Sequence, residues 1–330
     1  MEQEPILSVN DLHTQFHTKS GVVKAVDGVS FDIKPGETLG IVGESGSGKS
    51  ITAMSIMRLI KDPGKIAKGD IMFKGESLLS KSNREMRAIR GDRISMVFQD
   101  PMTSLNPVFT VEKQMVETIR AHRNVSKKEA INRAVELLEL VGIPSPRSRL
   151  KSYPHEFSGG MRQRVMIALA LSCDPEVLIA DEPTTALDVT IQAQILELLQ
   201  RLQKELGMAI IMITHDLGVV AEVCERVMVM YAGKPVEFAY VHELFDHPKH
   251  PYTWGLIGSI PKIVKEKVRL EPIQGLPPDL RALPKGCSFA PRCKHAMDQC
   301  LEVDPALREE SEDHHVRCLL YEEKEKAVTS

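Results

Sequence analysis

Short runs of consecutive apolar residues punctuate the chain: TLGIV at 38–42, ISMV at 94–97, VLIA at 177–180, AIIMIT at 209–214 and VMVMY at 227–231. Each has the length of a strand, and none alternates with polar residues, which is the pattern of strands buried on both faces. Between them the apolar positions take helical spacing. AINRAVELLELVG, residues 130–142, is the clearest case. Ser126 with Glu129 ahead of it forms a capping box, and Gly142 ends it. Strands alternating with helices predict an α/β fold with a largely parallel sheet. Residues 1–100 read as short apolar runs and glycine turns, and about 103–157 as helical. From about 236 the periodicity fades and prolines accumulate (HPKHPYTW, EPIQGLPPDL, LPKGC), which predicts a loop-rich appendage with little core of its own. The tail YEEKEKAVTS reads as a solvated end.

At 330 residues the chain is long enough for two or three domains. A net charge of -3 gives no electrostatic case for nucleic-acid binding. The start, MEQEPILSVND, is acidic where a secretory signal needs a basic start and an apolar run. No apolar stretch approaches the roughly 18 residues that span a bilayer. These features predict a cytosolic protein, and they leave docking on a membrane protein open.

GESGSGKS, Gly43 to Ser50, fits the phosphate-loop pattern G-x-x-x-x-G-K-S. Its members Gly43, Glu44, Ser45, Gly46, Ser47, Gly48, Lys49 and Ser50 follow an apolar strand and open a helix. Glycines let several backbone amides turn toward one polyphosphate, and the helix adds its positive end. Lys49 is placed to reach the β- and γ-phosphates, and the Ser50 hydroxyl to ligate Mg²⁺. The strand VLIA ends in Asp181 and Glu182. Two desolvated charges are costly, so packing does not account for them. Asp181 suits Mg²⁺ held through water, and Glu182 suits a general base for the attacking water.

FSGGMRQRVMIALAL, Phe157 to Leu171, resembles the LSGGQ signature of ATP-binding cassette (ABC) ATPases. Phe157 and Met161 depart from it at its first and last positions, while Ser158, Gly159 and Gly160 keep it. The resemblance implies that these three face a γ-phosphate, and other motifs fall in the family's order. Gln99 in VFQDP matches the loop glutamine that senses Mg²⁺ and water and contacts a membrane subunit. Asp188 in ALD matches the D-loop, and His215 in MITHD the switch histidine. Phe16 matches an aromatic that stacks on adenine, although an aromatic so near a first strand also suits a core, and His17 is adjacent. The family implies a RecA-like core with a helical subdomain over about 103–157, together spanning 1–235, then an irregular extension over 236–330. It also implies ATP and Mg²⁺ as cofactors, with two such domains sandwiching each ATP between the phosphate loop of one and the signature of the other.

FQDPMTSLNPVFTV, the stretch from the signature to TIQAQIL, and HPKHPYTWGLIGSIP followed by GCSFAPRCKHAMDQC are similar to the ATPase subunits of bacterial dipeptide and oligopeptide importers. That resemblance implies a second, homologous ATPase subunit, two permease subunits and an extracellular peptide-binding protein as partners, no nucleic acid, and a place at the cytoplasmic face of the membrane. Nickel importers share much of the pattern. A soluble ABC ATPase outside transport is the rival class, and its usual coiled-coil insertions or fused cassettes are lacking here.

Four of the six cysteines, Cys287, Cys293, Cys300 and Cys318, crowd into the last fifth of the chain. Clustered cysteines in a reducing compartment favour metal over disulfides. Their spacing contains no C-x-x-C knuckle, which speaks against zinc and for a [4Fe–4S] cluster, and the importer ATPases that the chain resembles can carry one. Zinc with His295, His314 or His315 as substitute ligands, and plain packing cysteines, remain as alternatives. Cys173 and Cys224 sit in apolar helical patterns and read as packing residues.

Overall fold

The computed structural model describes residues 3–100, 104–185, 187–260 and 273–321. The expected tail after Tyr321, Thr103 at the start of the helical region and the first two residues of EPIQGLPPDL lie outside them. All five apolar runs are strands: Thr38–Val42, Ile94–Val97, Val177–Asp181, Ala209–Thr214 and Arg226–Tyr231. Contacts group the chain into two compact units. One holds the chain up to Leu7, Ile33–Thr38 and Phe73–Ile213, and the other Ser8–Asp32, Leu39–Met72 and the chain from Thr214.

In the first unit, Ile94–Val97, Val177–Asp181 and Ala209–Thr214 run parallel, with Ala180 opposite both Val97 and Met212. The latter two strands are buried at every position, which explains the lack of alternation in their sequences. Helix Gly159–Ala170 packs on Ile94–Val97 and against a helical layer made of Val111–His122 and Lys127–Leu140. Ser126 and Glu129 form the expected capping box of the last of these. Gly142 follows its end in the left-handed region at φ 76°.

In the second unit, Thr38–Val42 pairs in parallel with Arg226–Tyr231, which pairs antiparallel with Lys234–Tyr240. That strand runs through residue 235, where the sequence places its boundary, and then pairs with His314–Val316 near the chain's other end. Leu7–Thr18 lies between Gly21–Ile33 and Gly64–Phe73 in a separate sheet. The region from 236 on has more structure than its prolines suggest. HPKHPYTW contains a helix, Pro251–Gly258, with Pro251 in the first turn, where no backbone donor is needed. Leu244, Tyr252 and Phe289 share one core cluster with Val42, Val227 and Val229, and Cys287 and Cys293 pack against it. The C-terminal residues take their core from the sheet they join.

Candidate functional site

Gly43 to Ser50 turns from the buried strand Thr38–Val42 into helix Lys49–Ile56. Gly48, the N-cap, sits at φ 105°, and a Cβ there would come 2.4 Å from the Ala25 carbonyl oxygen, so only glycine fits. Lys49 is 5% exposed. Its Nζ donates to the carbonyls of Gly43 at 2.6 Å and Glu44 at 3.0 Å, which holds the ammonium across the loop. The Ser47 hydroxyl is buried, with no hydrogen-bond partner among the described residues. A buried cation with a spare buried hydroxyl beside it suits a polyphosphate.

Glu44 is held from the far end of the chain. Arg292 donates to both its carboxylate oxygens, and its amide donates to the Tyr252 hydroxyl at 2.9 Å. No local signal in the sequence points to either partner, since Arg292 lies 248 positions away.

The other predicted carboxylates close the strand Val177–Asp181. Asp181 is buried. Glu182 has φ 47°, a left-handed conformation that costs a non-glycine residue about 1–3 kcal/mol. Its amide donates to the Ile213 carbonyl at 2.8 Å, which holds it there. Gln99 Nε2 donates to Glu182 Oε2 at 2.8 Å, and the Thr185 hydroxyl donates to the same oxygen at 2.9 Å. Two residues singled out separately, Gln99 and Glu182, are therefore direct neighbours, while Thr185 was missed.

Ser158 caps helix Gly159–Ala170, its hydroxyl accepting from Met161 N at 3.4 Å. Phe157 is buried under Arg149, so an apolar side chain fills the signature's first position. Gly160 has a packing reason that the sequence did not reveal: a Cβ there would meet Ile191 Cγ2 at 2.6 Å. Asp188 caps helix Val189–Leu206 by accepting from Ile191 N. The signature and the D-loop thus meet at Ile191. His215 is exposed just after strand Ala209–Thr214. Phe16 is half-buried on strand Leu7–Thr18, its ring against Gly64. Gln99, Ser158, Gly159, Gly160, Asp181, Glu182 and Asp188 belong to the first unit. The phosphate loop, Phe16, His215 and the four clustered cysteines belong to the second.

Those cysteines are all free thiols, and their electrostatic influence on one another puts them in one neighbourhood. They are not assembled as ligands: among the described residues no group of three or more His, Cys, Asp or Glu is arranged to hold a metal ion. The expected [4Fe–4S] or zinc site therefore finds no support in this arrangement, in which the thiols are subject to burial. Burial pushes the thiols of Cys287 and Cys293 up, and that of Cys318 up to about 12. Neutral thiols pack as small apolar groups, Cys300 with Ala290 and Leu319 and Cys287 beside them. The substitute zinc ligands each have other neighbours, while the Nδ1 atoms of His314 and His315 are buried without a hydrogen-bond partner among the described residues. His314 bonds Glu237 at 2.7 Å inside the fold, His295 stacks edge-on against Trp254, and His315 lies beside Phe238. Cys173 and Cys224 pack as expected, their thiols pushed up by burial.

Two family models match the chain: ABC transporter over residues 26–185, and oligopeptide/dipeptide transporter, C-terminal region, over residues 236–300. The dipeptide transport ATP-binding protein DppD of Bacillus subtilis (strain 168) is 54% identical over 99% of this chain and 98% of its own. The oligopeptide transport ATP-binding protein OppD of the same organism is 55% identical over 96% and 88%. A dimeric ATP-binding cassette solved in a post-hydrolysis state with ADP and Pi superposes with a TM-score of 0.64 at 28% identity, covering 71% of this chain and 98% of that one.

Proposed function

The chain belongs to the ABC transporter family of ATP-binding proteins, and we propose that it is the ATP-hydrolysing subunit that energises import of dipeptides or oligopeptides. The observation that carries the chemistry is the 2.8 Å contact between Gln99 and Glu182 at the end of the carboxylate strand. It joins a residue able to orient water to one able to accept its proton. The peptide cargo is supported by near-full-length similarity to a dipeptide and an oligopeptide transport protein.

In this reading, Lys49 and the amides of the phosphate loop hold the β- and γ-phosphates. Ser50 and Asp181 would hold Mg²⁺, which when bound would neutralise charge on the phosphates. Glu182 takes the proton of the attacking water, and His215 meets the γ-phosphate. Ser158 and the amides of Gly159 and Gly160 serve the ATP of a partner subunit, and Asp188 lies at that same face. The partners would be a second ATPase subunit and two permeases, on the cytoplasmic side of a membrane. Among the described residues no helix is long and apolar enough to cross it. The test uses the assembled transporter in vesicles. Glu182→Gln should abolish ATP-driven peptide uptake while the chain still binds ATP, and uptake unchanged by this substitution would overturn the reading.

The finer expectation of one [4Fe–4S] centre on Cys287, Cys293, Cys300 and Cys318 belongs to this proposal on donor chemistry alone: four thiols share one neighbourhood. Binding would require them to lose their protons and turn inward. Protein isolated without oxygen should hold about four irons per chain. Stoichiometric zinc would move the site to the zinc reading, and absence of both metals would leave four packing thiols.

A further inference from the structure

The phosphate loop carries a negative charge where a polyphosphate must bind. Glu44, its second residue, is 27% exposed at the side chain, while Arg292 opposite is only 6% exposed. Arg292 Nη1 donates to Glu44 Oε2 at 2.6 Å, and Nη2 to Oε1 at 3.0 Å, the two-pronged geometry that lysine cannot reproduce. The guanidinium is itself fixed. Its Nε donates to the Gln274 carbonyl at 3.0 Å, Nη1 reaches the Tyr231 hydroxyl at 3.4 Å, and its carbon lies 5.8 Å from the centre of that ring. Tyr231 packs with Tyr252 and Phe289 at ring separations of 4.7 and 5.2 Å, and the Tyr252 hydroxyl accepts a hydrogen bond from the Glu44 amide. Side chain and backbone of one loop residue are therefore both held by the C-terminal region, and the Glu44 carboxylate in turn holds the Arg292 proton more tightly.

Left alone, the Glu44 carboxylate would repel an incoming triphosphate, and a half-buried charge is poorly screened by salt. A countercharge with little exposure cancels that repulsion without competing for the phosphates. We infer that Arg292 is a positioning residue for nucleotide binding, acting through Glu44 to neutralise and fix the phosphate loop. This rests on the ATP reading above. It also gives the cysteine-bearing segment a direct hold on the phosphate loop, because Cys293 is the next residue along the chain.

The experiment measures equilibrium binding of Mg-ATP, ADP and adenosine to the full-length chain. Arg292→Ala should weaken ATP binding by about tenfold, the order expected for loss of a charge-assisted pair. ADP should weaken less, and adenosine hardly at all. A simple staple of the C-terminal region would affect all three alike or none. Arg292→Lys should fall between native and Arg292→Ala. Adding Glu44→Gln to Arg292→Ala should bring ATP affinity back to within about threefold of native, since the stranded charge is gone. If Arg292→Ala fails to fold, Arg292→Lys and the double variant carry the same comparison. Native-like ATP affinity in Arg292→Ala, equal losses for ATP and adenosine, or no recovery in the double variant would each overturn the inference. Lys49→Ala separates the two readings: if it binds ATP like the native chain, the ATP site itself is wrong. If it binds poorly while Arg292→Ala binds normally, only the role of Arg292 falls.

Discussion

Two glutamates of the proposed nucleotide chemistry are held in opposite ways. Glu182 Oε2 accepts from an amide, Gln99, and a hydroxyl, Thr185. Glu44 is gripped on both oxygens by a guanidinium. On the proposed reading Glu182 receives a proton, and the amide and hydroxyl on its Oε2 are neutral donors that orient it without themselves adding positive charge. Glu44, in the proposed phosphate loop, is served by a countercharge, which would remove its repulsion. Glu182 also pays for a left-handed backbone that Glu44 does not need. If the proposed roles hold, the difference teaches that the chain uses one residue type for two tasks and separates them by the charge of the neighbours.

The comparison breaks most decisively at Glu182. Glu182→Gln keeps shape and hydrogen bonding and removes the base, so ATP turnover in the assembled transporter should fall by about 10²–10⁴-fold with nucleotide affinity retained. Turnover within a few-fold of native would strip Glu182 of its role and leave no contrast to explain.

The Glu44 side is sharpened by acid. His250 caps helix Pro251–Gly258, its Nδ1 accepting from Tyr252 N at 3.0 Å, and Tyr252 carries the hydroxyl that receives the Glu44 amide. Burial pushes His250 down from 6.5 to about 4, with the nearby Glu237 opposing the shift. The folded protein thus binds this proton more weakly than the unfolded chain. The stability it contributes is full above pH 6.5 and is lost as pH falls toward 4, by about 3 kcal/mol in all. Unfolding midpoints in denaturant, measured from pH 7 to 4, should drop over that window, and His250→Asn should flatten the drop. An equally steep profile in His250→Asn would assign the acid sensitivity to other groups.

Most of the first unit and the phosphate loop were legible in the sequence because their signals are local. A fully buried parallel strand must be a continuous apolar run, as Val177–Asp181 and Ala209–Thr214 are. A capping box declares itself within four residues, as at Ser126 and Glu129. The C-terminal region reads in sequence as having little core of its own, and where its core comes from was not legible, because it is borrowed: Phe289 and Tyr252 pack with Val42 and Val227, far away in sequence. The same distance hid Arg292 and Tyr252 from any motif. Gly160 shows a subtler limit. Its place in the signature is visible in the sequence, but the 2.6 Å approach to Ile191 that excludes a Cβ depends on where a second helix starts. The cysteines were legible as a cluster in sequence and in space, while their protonation and orientation depend on burial that no spacing records.

The smallest expected effect is at Thr185, and it tests whether neutral donors to Glu182 matter at all. Its hydroxyl and the Gln99 amide share Oε2. Thr185→Ala removes one of them and keeps the charge, the strand end and the phosphate loop. One lost hydrogen bond of ordinary strength corresponds to roughly a two- to tenfold change. If the hydroxyl orients a carboxylate that acts only during hydrolysis, that loss should fall on kcat and leave KM near its native value. It should also vanish in the Glu182→Gln background, where there is no base left to orient, so the two changes together should be no worse than Glu182→Gln alone. A shift in KM instead would mean that Thr185 holds the nucleotide-binding surface. Additive losses in the double variant would mean that it acts independently of Glu182. In either case Thr185 would drop out of the grip on Glu182, and the contrast with the charged grip on Glu44 would lean on the Gln99 amide.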